Sequence, residues 1–149
     1  AICSIEMVEA VGQAYWPSYF GTVARLLKPG GRACVQSIVI DDALFERYVQ
    51  GTDFIQQYVF PGGCLPSPAR FRAAAQQAGL RVVDELAFGA DYAETLRRWH
   101  RQFTQQHAQV LAQGFDAKFL RTWEFYLAYC EAAFDSGSID VVQYTLVKN

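Results

Sequence analysis

The chain is short of the residues that most often declare a chemistry. Its 149 residues include two histidines, one methionine and four cysteines. Cys3, Cys34, Cys64 and Cys130 contain no Cys-x-x-Cys pair, which excludes a zinc ribbon and a thioredoxin-type redox centre. They read as reduced, buried thiols of a cytosolic protein. His100 and His107 have no third ligand at a metal-site spacing and read as solvated helix histidines. There is no Gly-x-Ser-x-Gly elbow, no P-loop and no Gly-x-Gly-x-x-Gly fingerprint, absences that remove most hydrolase and nucleotide-binding readings. Charge of one sign is also lacking. The formal net charge is −2 and the tight basic cluster is Arg97, Arg98 and Arg101, so nucleic acid is excluded as a partner. Apolar runs such as that around Ile38-Val39-Ile40 fall far short of the roughly 18 residues a membrane span needs. No secretory leader pattern occurs, and any membrane contact is expected to be peripheral.

What the chain does have is a core. A hydrophobic content of 52% with 19% charged residues suits one globular domain. Aromatics at 15% could line an apolar tunnel or face a cation, although any single ring more often fills the core.

The opening Ile2-Cys3-Ser4-Ile5 reads as a buried strand running into a loop that carries Glu6 and Glu9. With nothing upstream to pair that strand, the expectation is a truncated chain. Apolar residues at Tyr15, Tyr19, Phe20, Val23, Leu26 and Leu27 have helical spacing, with Pro17 in the first turn and Pro29-Gly30-Gly31 as a stop. Arg32 to Ile40 is a strand, bounded by the Gly pair and Asp41-Asp42. Short helices follow around Gly51, then the turn-rich Phe60-Pro61-Gly62-Gly63. A helix capped by Ser67 with Pro68 at its start ends at Gly79, and Leu80 to Leu86 is a further strand. Helical patterns run from about Tyr92 to Ala112 and from Ala117 to Phe134, and Ile139 to Val147 forms the last strand. Strands alternating with helices predict an α/β sheet of parallel type, with its ligand at the carboxyl ends of the strands. The loops at Glu6, at Gln36 to Asp42 and at Phe88 to Tyr92 should then share one crevice.

Glu6 and Glu9 at a strand-to-helix junction could accept hydrogen bonds from a ligand, but taken alone they are better accounted for by the helix dipole. Gln36 and Ser37, polar in a strand that should be buried, are either satisfied core groups or site-facing ones. Tyr92 follows a loop and could turn its hydroxyl into the crevice or only cover a core edge.

Taken in order, Ser4-Ile5-Glu6-Met7-Val8-Glu9-Ala10-Val11-Gly12, Tyr15-Trp16-Pro17-Ser18-Tyr19-Phe20, Leu27-Lys28-Pro29-Gly30-Gly31, Phe54 to Gly63, Phe88-Gly89-Ala90-Asp91-Tyr92-Ala93-Glu94-Thr95-Leu96 and Ile139-Asp140-Val141-x-Gln143 closely resemble the cyclopropane-fatty-acyl-phospholipid synthases and their mycolic-acid relatives. The resemblance implies a partial class I methyltransferase sheet, Rossmann-like, with a helical insertion at about 92–134 before the last strand. It implies that 1–149 is the C-terminal portion of one methyltransferase domain whose glycine-rich cofactor loop lies upstream, so that the chain alone would be inactive. The implied reaction is S-adenosylmethionine-dependent methyl transfer to the cis double bond of an unsaturated phospholipid acyl chain, closing a cyclopropane ring. The implied setting is cytoplasmic and peripheral at the inner membrane surface, and a homodimer is compatible with it.

The same resemblance implies a bound bicarbonate as proton acceptor, held by a Glu, a His, a Tyr, a backbone amide and an upstream Cys. These map to Glu9, to Gln36 in place of the His, to Tyr92 and to the amide of Ile38. The Cys has no counterpart. Gln36 can donate a hydrogen bond to an oxyanion but cannot carry positive charge or titrate. Ala10 also replaces a His. Ser4, Ile5 and Glu6 map beside the cofactor, and Tyr58, Phe60, Phe88 and Trp99 are candidates to line the substrate pocket and face a cation. Two other readings are a methyltransferase with a different acceptor and a non-catalytic fragment that binds lipid or another subunit.

Overall fold

The computed structural model describes residues 1–148. They divide into two compact units, Ala1–Phe88 with the final strand, and Gly89–Ser138.

In the first unit β1 (Ile2–Ile5), β2 (Arg32–Ile40), β3 (Leu80–Ala87) and β4 (Ile139–Lys148) form one sheet in the order β1-β2-β4-β3. β1 and β2 are parallel, whereas β4 runs antiparallel to both β2 and β3. The parallel expectation therefore fails at the last strand. A strand's alternation encodes which face is buried but not its direction. Because β4 is reversed, β1, β2 and β3 all end at the same edge of the sheet, and the loops that follow them start there.

Period-2 alternation sorts the faces. Ala33, Val35, Ser37 and Val39 on β2 share a face with Val142, Tyr144 and Leu146 on β4, and all are buried. Against this face lie α1 (Trp16–Leu26) and α4 (Pro68–Gln77), which contribute Phe20, Val23, Phe71 and Ala75 to the core. The Phe71 ring stacks on Tyr144 with centroids 3.9 Å apart, and Phe20 meets Phe71 edge-on. Such pairs add about 0.5–1.5 kcal/mol each beyond the area they bury. The other face carries Cys34, Gln36 and Ile38 opposite Thr145, Gln143 and Val141.

Ser67 caps α4 through its Oγ, with Pro68 at the first helical position, as its sequence predicts. Between β2 and α4 lie the short α2 (Phe45–Gln50) and α3 (Phe54–Tyr58), the latter opened by a reciprocal Asp53–Gln56 capping box.

The second unit holds α5 (Gly89–Gln105), α6 (His107–Ala112) and α7 (Ala117–Asp135), inserted in sequence between β3 and β4. α5 begins three residues before the predicted Tyr92 start, and Gln106 breaks the expected continuous helix. α5 and α7 are antiparallel neighbours: Tyr92 packs on Phe134, Arg97 pairs with Glu131 and Asp135, and Phe103 meets Phe119. No described helix is long and apolar enough to cross a membrane.

The cysteine expectation needs correction. All four are free, but Cys3 is exposed and the other three are half-buried. Cys3 sits on the outward-alternating face of β1, an edge strand, where the sheet gives it no cover.

Candidate functional site

The loop after β1 is built to hold a carboxylate against the end of β2. Glu6 leaves the strand in a left-handed backbone conformation, φ 51°, rare for a residue with a side chain. Its N–H donates to the Gln36 carbonyl at 2.9 Å, which extends the β1–β2 ladder by one bond. The turn is then pinned from three sides. Trp16 Nε1 donates to the Val8 carbonyl at 3.2 Å, the Cys64 N–H donates to the Glu9 carbonyl at 2.8 Å, and Gly12 stands at φ 78°. A Cβ on Gly12 would lie 3.0 Å from the Gly62 carbonyl oxygen, so glycine is required there both by conformation and by this approach.

The Phe60-Pro61-Gly62-Gly63 loop is thereby packed on the Glu9 turn and is itself held by α3. Gln56 Nε2 donates to the Gly63 carbonyl at 3.0 Å and to the Tyr48 hydroxyl at 3.2 Å, and that hydroxyl accepts from the Leu65 N–H at 3.1 Å. Gln56 thus caps its own helix and anchors the loop.

Glu9 is buried, 8% exposed, between these segments. Its Oε1 accepts the Ile38 N–H at 2.7 Å, and its Oε2 is a buried oxygen without a hydrogen-bond partner. Burial is the main cause, with the Glu6 charge adding to it, that pushes the Glu9 carboxyl up to about 7 although the Ile38 amide works the other way. This is a carboxylate that exchanges a proton near neutrality.

Gln36 and Gln143 face each other in register across β2 and β4. Gln143 Nε2 donates to Gln36 Oε1 at 2.9 Å, and Gln36 Nε2 donates to Glu6 Oε1 at 2.9 Å. Gln36 is thus a satisfied, buried group that also faces the site. Beside it, Ser37 lies on the core face, its Oγ donating to the Ile38 carbonyl at 2.9 Å. On the α1 side of β1, Tyr19 donates its hydroxyl to Ser4 Oγ at 2.7 Å, and Ile5 is exposed.

Of the residues singled out from sequence, Glu6, Glu9, Gln36 and Ile38 are brought into one hydrogen-bonded cluster. Ser4 and Ile5 lead into it and line an open groove of about 780 Å³ along α1. Tyr58 and Phe60 are largely exposed, and Phe88, at the end of β3, is half-buried. Tyr92 and Trp99 belong to the second unit, Tyr92 half-buried against Phe134 and Trp99 exposed. His107 lies 3.1 Å from Glu124, and no group of three candidate metal ligands occurs among the described residues. Gln143 and Gln56 were not predicted as site residues. Gln143 is visible only once the β2–β4 register is known, and Gln56 only once the glycine loop has closed on α3.

The structure superposes on a solved mycolic acid cyclopropane synthase, CmaA1 in complex with SAH and CTAB, with a TM-score of 0.88 and 26% identity, over 98% of this chain and 54% of that one. The fold is that of a class I S-adenosylmethionine methyltransferase, with helices inserted before the last strand. The family model for mycolic acid cyclopropane synthetase matches residues 1–144, and the chain belongs to that family. Among curated relatives, a tuberculostearic acid methyltransferase of Mycobacterium tuberculosis is 44% identical over 99% of this chain and 35% of its own length. A cyclopropane-fatty-acyl-phospholipid synthase of Escherichia coli K12 is 32% identical over 95% of this chain and 36% of its own. The chain therefore spans about a third of the length of these relatives.

Two bound groups follow from the family resemblance, and the donor set treats them differently. S-adenosylmethionine carries a sulfonium cation, and the Glu6 carboxylate, held by Gln36, suits a cation. Bicarbonate is an anion. The Ile38 N–H assigned to it is already given to Glu9, and the Gln36 nitrogen faces the Glu6 carboxylate. Glu6 fits the first group, and the Ile38 N–H and the Gln36 amide are donors of the kind the second would need.

Proposed function

We propose that the natural polypeptide carrying this sequence is an S-adenosylmethionine-dependent methyltransferase that acts on the cis double bond of an unsaturated phospholipid acyl chain and closes a cyclopropane ring. The observation that carries the reading is the buried Glu9 carboxylate with its unpartnered Oε2. Methylation of an alkene leaves a carbocation that must lose a proton, and a base that titrates near neutrality is matched to that task.

Ser4, Ile5 and Glu6 would hold the methyl donor, which supplies an electrophilic methyl group when bound. The Glu6 carboxylate, oriented by Gln36, complements positive charge on that side. Glu9 Oε2 takes the proton, while Oε1 stays anchored on Ile38 so that the accepting atom keeps its position. Tyr58 and Phe60, exposed beside the glycine loop, offer apolar contact to lipid, in keeping with action at the inner surface of a membrane. Phe88, half-buried at the end of β3, is a further candidate to line the acceptor pocket.

The substitution of Gln36 for the family's His favours a second reading, in which the same methylation of an acyl chain ends in an open-chain product. Incubation with S-adenosylmethionine and a cis-unsaturated phospholipid, followed by mass spectrometry and proton NMR of the lipid, separates these. Cyclopropane formation adds one methylene and gives upfield ring protons. A mass gain without those protons supports the second reading, and no mass gain on any unsaturated lipid defeats both.

A further inference from the structure

We infer that Tyr48 and Gln56 are positioning residues for Glu9, acting on it through the glycine loop; this rests on the methyl-transfer reading above. The loop meets the Glu9 turn at its backbone. The Cys64 N–H donates to the Glu9 carbonyl at 2.8 Å, and a Cβ on Gly63 would lie 3.5 Å from that same oxygen. The Gly63 N–H closes a turn on the Phe60 carbonyl at 3.1 Å, but two successive glycines leave the backbone free to swing unless something outside the loop holds it.

What holds it is a clasp around Cys64. The Gly63 carbonyl accepts from Gln56 Nε2 at 3.0 Å. That carbonyl and the Cys64 N–H belong to one planar trans peptide group and point in opposite directions, so the grip of Gln56 on the oxygen aims the hydrogen at Glu9. The next N–H along, that of Leu65, donates to the Tyr48 hydroxyl at 3.1 Å, and Gln56 Nε2 donates to the same hydroxyl at 3.2 Å, which joins the two side chains into one unit. The Gln56 amide has a single consistent orientation. Its Oε1 accepts the Asp53 N–H at 3.1 Å in the capping box of α3, which leaves the nitrogen for the Gly63 carbonyl.

Glu9 is thereby held at two points, its carbonyl by Cys64 and its Oε1 by Ile38, with the loop keeping it buried. Loosening the clasp lets the turn lift and water reach the acid, so that Oε2 loses its fixed position and the carboxyl loses the burial that retains its proton. The other titratable groups around it do not compete near neutrality. Glu6 on the same turn adds its charge, Tyr19 of α1 and Cys64 of the loop are both pushed up by burial, and Ser37 and the Ile38 amide on β2 carry no charge.

The test uses the natural polypeptide. Tyr48→Phe keeps the ring and removes the hydroxyl. Gln56→Glu keeps an acceptor for the Asp53 N–H, and with it the capping box, but turns a carboxylate toward the Gly63 carbonyl. Both are expected to lower kcat on a cis-unsaturated phospholipid by about tenfold, less than the ~10²-fold that a misplacement of about 1 Å can cost, with KM for S-adenosylmethionine unchanged. The Glu9 carboxyl, followed by ¹³C NMR with labelled glutamate and assigned through Glu9→Gln, is expected to titrate at about 7 in wild type and about one pH unit lower in Tyr48→Phe. Wild-type kcat in both variants, or an unmoved Glu9 titration in Tyr48→Phe, overturns the inference and leaves the clasp a merely structural feature. Should Tyr48→Phe not fold, Gln56→Glu decides by kcat and KM. If wild type adds no methyl to lipid while Glu9 still titrates lower in Tyr48→Phe, the methyl-transfer reading fails and the control of Glu9 by the clasp stands.

Discussion

Gln143 on β4 stands directly opposite Gln36 on β2, and its side-chain nitrogen donates to the Gln36 oxygen at 2.9 Å. Through this contact the reversed last strand reaches the loop after β1, because Gln36 passes the hydrogen bond on to Glu6. A residue near the end of the chain thereby orients an acid near its start.

Gln143→Leu leaves the Gln36 oxygen unpaired, and stability should fall by about 1–2 kcal/mol. Gln143→Glu should cost more, since a second carboxylate would pull the Gln36 nitrogen away from Glu6. Urea denaturation checks the order. In turnover assays both variants should lower kcat more than they raise KM, a split that loss of packing alone would not produce.

Glu9 makes stability depend on pH in a direction opposite to most acids. Its carboxyl titrates at about 7 in the folded chain against 4.5 for an unperturbed glutamate. Between those values the folded state holds a proton that the unfolded state has released, so stability falls as pH rises from about 4.5 to about 7 and stays lower above. The loss is on the order of 3 kcal/mol. Glu9→Gln, which keeps an acceptor for Ile38 and carries no charge, should raise the Tm at pH 8 and change it little at pH 4. An equal shift at both values would contradict the burial of an ionisable Glu9.

Tyr144 has a fully buried hydroxyl without a partner, on a ring stacked against Phe71. Tyr144→Phe keeps the stack and removes the orphaned group, so it should stabilise the chain by about 1 kcal/mol. Calorimetry showing destabilisation would mean that the hydroxyl has a partner after all.

Two glycine-to-alanine changes should have opposite signs. Gly12→Ala strains a left-handed residue and drives a methyl toward the Gly62 carbonyl, destabilising by about 1–2 kcal/mol. Gly21→Ala lies within α1, where a Cβ meets nothing within 4 Å, and should stabilise by about 0.5–1 kcal/mol. Thermal unfolding of the pair reads both.

Much of this was legible in the chain itself. The Ser67-Pro68 cap, the Gly30-Gly31 stop and the alternation of β2 are local signals, and the elements form where those signals put them. What needed the structure was relational. The reversal of β4 carries no local mark, and with it went the pairing of Gln143 with Gln36. Helix α5 starts at Gly89 rather than Tyr92 because a buried glycine can open a helix, whereas Phe88-Gly89 reads as a loop. Glu6 and Glu9 were separated in sequence only by the family resemblance, which puts Glu6 beside the cofactor and Glu9 on the proton-acceptor side. The closing of the glycine loop on the turn gives that separation its physical form, leaving Glu9 buried and Glu6 half-exposed beside Gln36.

The most direct test of the account is the fate of the methyl hydrogens. Turnover of a cis-unsaturated phospholipid with deuteromethyl S-adenosylmethionine should yield a lipid that has lost one deuterium from the transferred methyl group. Wild-type rate should rise with pH through about 7, and Glu9→Gln should retain cofactor binding while losing turnover by at least 100-fold, within the ~10²–10⁴ range for a general base. Full retention of the label, or a Glu9→Gln variant as fast as wild type, would contradict it.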